Sequence, residues 1–146
     1  MATDERRTWL LLIITIVTTS WYVITVLSRA DGGSLVDTAY VGPMLTAIGV
    51  GIVAAIIVEI VLAIATAVAT GEEPPPADER ERQIKGRSAY IGQSLVIAGA
   101  VAALLMALAD WDTFWIANVI YLAFAASAVL EMVAKLAFYR RGLPAW

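Results

Sequence analysis

The sequence predicts an all-α protein, a four-helix transmembrane bundle with the N-terminus, the C-terminus and the central loop on the cytoplasmic side. Three observations predict it. Of the 146 residues, 60% are hydrophobic, whereas a soluble domain has about 45–50% apolar residues. The apolar residues form four runs, each near the length of about 20 residues that crosses a hydrocarbon core. The basic residues lie almost entirely on one side of those runs.

The first helix is expected at residues 9–27, after Arg6 and Arg7. A basic start followed by an apolar run also fits a signal peptide. The run is longer, however, than a signal-peptide core of about 7–15 residues. Trp21 and Tyr22 near its far end are typical of a span anchored at a membrane interface. A membrane span is therefore the favoured interpretation.

The second helix is expected at residues 40–69, with Glu59 as its single charged residue. A cytoplasmic loop at residues 70–77 follows. It contains Gly71, a residue type that commonly ends helices, and then three consecutive prolines, which cannot continue one. The sequence therefore predicts a complete break between the second helix and the third.

The third helix is expected over residues 78–109 and begins before the membrane. Asp78 can act as its N-cap, and Glu81 three residues later completes a capping-box-like pair. The first turns of this helix would then stand in the cytosol. A seam of small residues, which lets a neighbouring helix approach closely, follows along the same helix. The seam consists of Gly86, Ser88, Gly92, Gly99 and Ala103.

The fourth helix is expected at residues 114–138, after a short outer loop. Glu131 and Lys135 lie one helical turn apart near its end, in the acid-first order that favours an ion pair. The sequence predicts that they pair at the membrane edge. Arg87, near the start of the third span, is an alternative partner for a membrane carboxylate. Gln93 and Ser94 are further candidates to bond with Glu59 or Glu131.

The orientation follows from the positive-inside rule, which places lysine and arginine in cytoplasmic loops. The basic residues of the predicted cytoplasmic side are Arg6, Arg7, Arg80, Arg82, Lys85, Arg87, Arg140 and Arg141. Arg29 is the only basic residue in the predicted outer loops. Because four crossings return the chain to its starting side, both termini are predicted to be cytoplasmic, in a multi-pass protein of the cell membrane.

The chain also has the form of two helical hairpins related by a weak parallel repeat. A shift of 72 residues superimposes Glu59 on Glu131. On each even-numbered helix, small residues spaced by four lead to the carboxylate: Ala47, Gly51 and Ala55 on the second, Ala123 and Ser127 on the fourth. Close packing along these stripes predicts that both carboxylates face the interior of the bundle.

Glu59 is the sharpest candidate for a functional group. Counted from the end of its own helix, it lies about 15 Å deep, where an ionised side chain without a partner costs at least about 2.5–3.5 kcal/mol. Two interpretations remain open. Glu59 is either a proton-carrying or cation-binding carboxylate, or a polar clamp that bonds to another helix.

A second candidate is the cytosolic start of the third helix. The helix-three surface comprises Asp78, Glu79, Arg80, Glu81, Arg82 and Lys85. It can serve as a contact for a partner protein or for lipid headgroups, or it can be a solvated face that carries a topology signal. Together with Arg87, its three basic residues make four, which reach only the lower edge of a lipid-binding cluster.

Composition excludes several classes of function. The chain has no cysteine and no histidine, which removes thiolate and imidazole chemistry. The net charge of −3, without a basic stripe, disfavours nucleic acid. We find no phosphate-binding glycine loop, nucleophile motif or metal cluster in the sequence, so no enzyme activity, cofactor or metal is predicted.

Residues 78–84, Asp-Glu-Arg-Glu-Arg-Gln-Ile, are followed directly by the third span. This segment resembles the Asp-Glu-Arg-acid-x-x-Ile signature of a family of small, uncharacterised prokaryotic membrane proteins with four predicted helices. The resemblance covers the layout of most of the chain. It implies an integral membrane protein and carries no catalytic residue.

The expected role is therefore association within the lipid bilayer. The partner would be another membrane protein or a second copy of the chain, bound through the helix-three surface. The alternative is a proton-coupled small-molecule transporter, or a subunit of one, that uses Glu59 as its titrating group.

Overall fold

A computed structural model describes residues 3–70 and 78–142, and in these ranges every regular element is a helix. The helices are α1 (Thr3–Ala30), α2 (Val41–Thr70), α3 (Glu79–Leu108) and α4 (Thr113–Arg141). The predicted all-α four-helix bundle is confirmed. Residues 71–77, which include Gly71 and the three prolines of the predicted central loop, lie outside the described residues.

Helix α1 begins earlier than its apolar run, because the charged residues before the run also form helix. Asp4 and Glu5 lie in its first turn, where acidic side chains favour the helix dipole. The Thr8 hydroxyl donates to the Asp4 carbonyl at 2.8 Å. Helix α1 therefore places Arg6 and Arg7 on a continuous helix rather than in a loose tail.

Helix α3 starts where the sequence predicts, but its N-cap side chain does not form the predicted hydrogen bond. Asp78 has the extended backbone of an N-cap (φ −60°, ψ 154°), yet its side chain makes no capping hydrogen bond. The expected capping box with Glu81 is therefore wrong. The Asp78 carbonyl accepts from the Arg82 N–H at 3.0 Å, so backbone bonding alone begins this helix.

The turn between α3 and α4 is tight because α3 ends in a Schellman motif. The Trp111 N–H donates to the Met106 carbonyl at 3.0 Å, and the Asp110 N–H donates to the Ala107 carbonyl at 3.3 Å. Asp110 has φ +53°, a left-handed conformation that aspartate tolerates better than most residues. The chain thus reverses within a few residues and sets α4 antiparallel to α3.

The helices pack in the spatial order α2, α1, α4, α3. Helix α1 contacts α2 on one side and α4 on the other, and α4 also contacts α3. Among the described residues, α2 packs against no helix except α1. We call the end with the starts of α1 and α3 the basic end, and the other the aromatic end. Since α2 and α4 both flank α1 without packing together, a cleft remains between them.

The closest packing in the bundle lies between α3 and α4. Of the predicted seam, Ser88, Gly92, Gly99 and Ala103 are buried. An added Cβ on Gly92 would lie 2.9 Å from the Glu131 Cβ, so this glycine cannot be enlarged without moving α4. Gly86 is exposed, and nothing lies within 4 Å of a Cβ added there. Its place in the predicted seam is therefore wrong, because it lies on the opposite face of α3.

The outer faces of the four helices carry large apolar side chains. Val17 and Ile24 on α1 are 58% and 66% exposed, and the same pattern continues on the other helices. Soluble proteins rarely expose continuous apolar surface of this extent. All four helices are long and apolar enough to cross a membrane. The chain is therefore a multi-pass membrane protein.

Candidate functional site: the Arg7–Glu59 pair and the adjoining cleft

Glu59 on α2 is bonded to Arg7 on α1. The Arg7 Nε donates to Glu59 Oε1 at 2.6 Å, and Arg7 Nη2 lies 2.6 Å from the same oxygen. Each side chain is 41% exposed. The pair ties α1 to α2 with charge-assisted hydrogen bonds, which are about twice as strong as neutral ones. This geometry favours the interpretation of Glu59 as a polar clamp.

The structure gives the position of Glu59 relative to the other helices, and its predicted depth in the membrane stays a prediction. Arg7 is in the second turn of α1, so Glu59 lies near the basic end of the bundle. The predicted depth was counted from the end of α2. Measured from the Arg7–Glu59 contact, α2 extends about 10 Å farther than α1 does. Only the register between the two helices reveals this difference.

Arg7 is the site residue that sequence reasoning missed, since it was interpreted as a topology signal alone. A basic residue at the start of one helix and an acid late in the next is a possible signal for such a pair in an antiparallel hairpin. The same signal is present for Glu131 and several basic residues, so it does not single out Arg7. The partner follows from the packing of α1 on α2.

Glu131 faces α3, as the stripe of small residues on α4 predicts. Its Cβ lies beside Gly92, next to the Ser127 carbonyl and hydroxyl that also border this glycine. Lys135 is half-buried one turn later. The predicted ion pair between Glu131 and Lys135 is absent from the part of the chain that the structure describes. Glu131 thus occupies the α3–α4 contact.

The other residues proposed as partners of the carboxylates have different positions. Arg87 is half-buried on α3. Gln93 is exposed, and the Ser94 hydroxyl donates to the Ile91 carbonyl of its own helix at 2.7 Å. Neither Gln93 nor Ser94 bonds with Glu59 or Glu131 among the described residues, so that expectation is wrong.

A second set of contacts joins α1 to the end of α4. The Arg140 Nε lies 3.5 Å from Glu5 Oε1, and its guanidinium stands 5.8 Å from the centre of the Trp9 ring. The Tyr139 hydroxyl donates to Asp4 Oδ2 at 3.5 Å. These contacts are long and partly exposed, so each stabilises the fold by at most about 1 kcal/mol. They align the start of α1 with the end of α4.

The helix-three surface lies on a helix whose opposite face is packed. Ile84 and Ser88 have no exposed surface at all. Arg80, Arg82 and Lys85 are exposed, and Glu81 is half-buried. The Glu79 carboxylate accepts from the Gln83 side chain at 3.2 Å. The first turns of α3 are therefore held in place while their basic side chains point away from the bundle.

The aromatic end has its own polar contact, which sequence reasoning also missed. The buried Tyr22 hydroxyl on α1 donates to Asn118 Oδ1 on α4 at 2.5 Å, and Asn118 Nδ2 donates to the Phe114 carbonyl at 2.8 Å. The Tyr22 ring stacks edge-on against Tyr121, with ring centres 4.8 Å apart. An asparagine within an apolar helix is the signal that could have identified this contact.

Replacing Tyr22 by phenylalanine is expected to lower the free energy of unfolding by about 0.6 kcal/mol and at most about 1.7 kcal/mol, the average and the maximum measured for hydrogen bonds between membrane helices. The aromatic packing is retained, so the loss reports the hydroxyl. Unfolding by a denaturing detergent in micelles measures it. Tyr90→Phe is the control, since Tyr90 is 78% exposed. Equal stability of the two variants would contradict the assignment.

The cleft between α2 and α4 has a volume of about 740 Å³, with α1 as its floor. Its walls are almost entirely apolar or small, and the Thr15 and Thr18 hydroxyls on the floor donate to carbonyls of their own helix. Leu11 lies one turn from Arg7 and Ala55 one turn from Glu59, and both line the cleft. Because residues four apart share a helix face, the Arg7–Glu59 pair lies at the basic end of the cleft.

The described residues contain no group of three or more acidic side chains that could hold a metal ion. Comparison of the chain with family models, with curated proteins and with solved structures finds no match. The resemblance of residues 78–84 to the four-helix family stays a prediction.

Proposed function

We propose that this chain is a non-catalytic protein of the cell membrane that acts by association. Its basic end lies in the cytoplasm, and the helix-three surface contacts a membrane-protein partner or a second copy of the chain. The resemblance of residues 78–84 to the four-helix membrane family supports the same reading.

One observation carries the proposal. Ile84 and Ser88 are fully buried, so the first turns of α3 are part of the packed bundle although they precede the apolar run. A recognition surface on a rigid helix loses less conformational entropy on binding than one on a flexible loop. The helix-three surface has that property, whereas a mere topology signal would not require it.

The charges of this surface support the proposal as well. Among the described residues, Arg80, Arg82 and Lys85 form no ion pair with the acidic residues around them. Their charges therefore remain available to a partner with complementary acidic groups. Charge complementarity of this kind mainly provides specificity and speed of association.

The test is photo-crosslinking in membranes from a reactive amino acid at Gln83, which is exposed within the helix-three surface. We expect a discrete adduct that disappears when Arg80, Arg82 and Lys85 are all replaced by alanine. A reactive group at Leu104, exposed on the apolar part of α3, is the matched control and should give no such adduct. An adduct that persists in the triple variant would overturn the proposal.

The proposed orientation has its own test. Single cysteines at Arg82 and at Gly33, introduced into a chain without native cysteine, should react oppositely with a membrane-impermeant maleimide added to intact cells. We expect labelling at position 33 in intact cells, and labelling at position 82 only after the membrane is permeabilised. The positive-inside rule requires this result. Labelling of position 82 in intact cells would contradict it.

Proton-coupled transport at Glu59 is the second candidate. The cleft beside the Arg7–Glu59 pair favours it, because a transported molecule needs a cavity. The bond to Arg7 at 2.6 Å and the apolar walls favour the clamp instead. Vesicles that contain the protein should show a pH-driven flux that Glu59→Gln abolishes. A flux that is unchanged by this substitution would remove the candidate.

A further inference from the structure

The cleft between α2 and α4 is a slot that lies between an aromatic contact and the Arg7–Glu59 pair. At the aromatic end, Tyr40, the residue before α2, meets Phe114 of α4 edge-on with ring centres 5.0 Å apart. At the basic end, the Arg7–Glu59 pair lies one helical turn beyond Leu11 and Ala55, which line the slot. The slot opens sideways, between two helices that do not pack against each other, and therefore toward lipid.

The dimensions of the slot suit one hydrocarbon chain. Its volume of about 740 Å³ is within the range of about 300–1,000 Å³ that ligand pockets have. Along α2 it extends from Met44 to Ala55, which is about 16 Å at the helical rise. This length is close to half the thickness of a hydrocarbon core of about 30 Å. The length of the slot therefore fits one hydrocarbon chain of a lipid.

The charged groups of the Arg7–Glu59 pair distinguish between lipid headgroups. Both contacts from Arg7 go to Glu59 Oε1, so Oε2 accepts no hydrogen bond from the described residues. A guanidinium has five N–H donors, and this one retains several that the contact with Glu59 does not use. Both side chains are 41% exposed. The pair thus offers a hydrogen-bond acceptor with negative charge beside donors with positive charge.

We propose that the slot binds one zwitterionic phospholipid with a primary ammonium group, such as phosphatidylethanolamine. One acyl chain occupies the slot, the phosphate accepts from the free N–H groups of Arg7, and the ammonium donates to Glu59 Oε2. A purely anionic lipid would match Arg7 but would face the Glu59 carboxylate. A quaternary ammonium has no N–H to donate to Oε2.

The experiment is native mass spectrometry of the purified full-length protein. The detergent contains equal amounts of phosphatidylethanolamine, phosphatidylglycerol and phosphatidylcholine with identical acyl chains. We expect preferential retention of one phosphatidylethanolamine. A charge-assisted hydrogen bond contributes enough that Glu59→Gln should reduce this retention about tenfold. Retention of phosphatidylcholine should change little.

A substitution that fills the slot with a bulky side chain provides an independent test of lipid binding. Ala55→Phe places a ring inside it and should abolish retention, while Ile56→Phe on the exposed face of α2 should leave it intact. Unfolding in detergent checks that each variant is folded, and Ala55→Leu replaces Ala55→Phe if that protein does not fold. Equal retention of the three lipids, preference for phosphatidylglycerol, or binding that survives in the filled slot would each overturn the proposal. So would a dimer whose second copy occupies the slot.

Discussion

Replacing Gly99 by alanine is expected to destabilise the bundle more than any other single methyl group added to a described glycine. A Cβ on Gly99 would overlap the Cβ of Ala123 and approach its Cα to 3.6 Å. Neither atom belongs to a flexible side chain, so the helices themselves must separate. Overpacking of this kind costs about 1–3 kcal/mol. The free energy of unfolding in detergent micelles measures the loss.

Two comparisons make this prediction specific. Gly86→Ala, on the same helix, places its methyl group where nothing lies within 4 Å, and it should be neutral or slightly stabilising because alanine favours helix. Combining Gly99→Ala with Ala123→Gly moves the methyl group from one helix to the other and should recover most of the lost stability. If the double variant is no more stable than Gly99→Ala alone, steric overlap is not the cause.

Replacing Arg7 by glutamine is expected to be the second large effect, because it leaves the Glu59 carboxylate without its partner. Breaking a fully buried ion pair costs about 3–5 kcal/mol. Since each side chain of this pair is 41% exposed, we expect Arg7→Gln to lower the free energy of unfolding by about 1–3 kcal/mol. Replacing Glu59 by glutamine as well removes the uncompensated charge and should restore part of this loss.

The coupling between the two positions is measured by a double-mutant cycle in detergent micelles. Arg140→Gln serves as the control, since the Arg140–Glu5 contact is longer, at 3.5 Å, and Arg140 is 62% exposed. Arg140→Gln should lower the free energy of unfolding by less than about 1 kcal/mol. A coupling energy near zero between Arg7 and Glu59 would show that the pair does not clamp α1 to α2.

Spacing along the sequence predicted part of the α3–α4 contact. Ser88, Gly92, Gly99 and Ala103 recur at intervals of four or seven residues, which places them on one helix face, and all four are buried. Gly86 was assigned to the same seam because it is small. It fails the spacing, and its exposed position shows that the interval between residues, rather than their size alone, predicts the face.

The carboxylates show where prediction from sequence stops. That Glu59 and Glu131 turn toward other helices follows from the small residues spaced by four before them. The spacing of small residues does not predict which atoms the two carboxylates contact. Glu59 bonds to Arg7, whereas the Glu131 Cβ packs against Gly92. The difference depends on the register of each helix pair, which no periodicity within a single helix contains.

The sequence by itself determined the number of helices, the approximate ends of α2, α3 and α4, and the face of α3 that packs. These follow from local properties, namely apolar length, helix-breaking residues and the spacing of small side chains. The tertiary structure alone decided the order α2, α1, α4, α3, the pairing of Arg7 with Glu59, and the cleft. Apolar helices of similar length can pack in several orders with nearly equal burial. The order is therefore selected by close contacts such as that of Gly99 with Ala123, which form only when the helices meet.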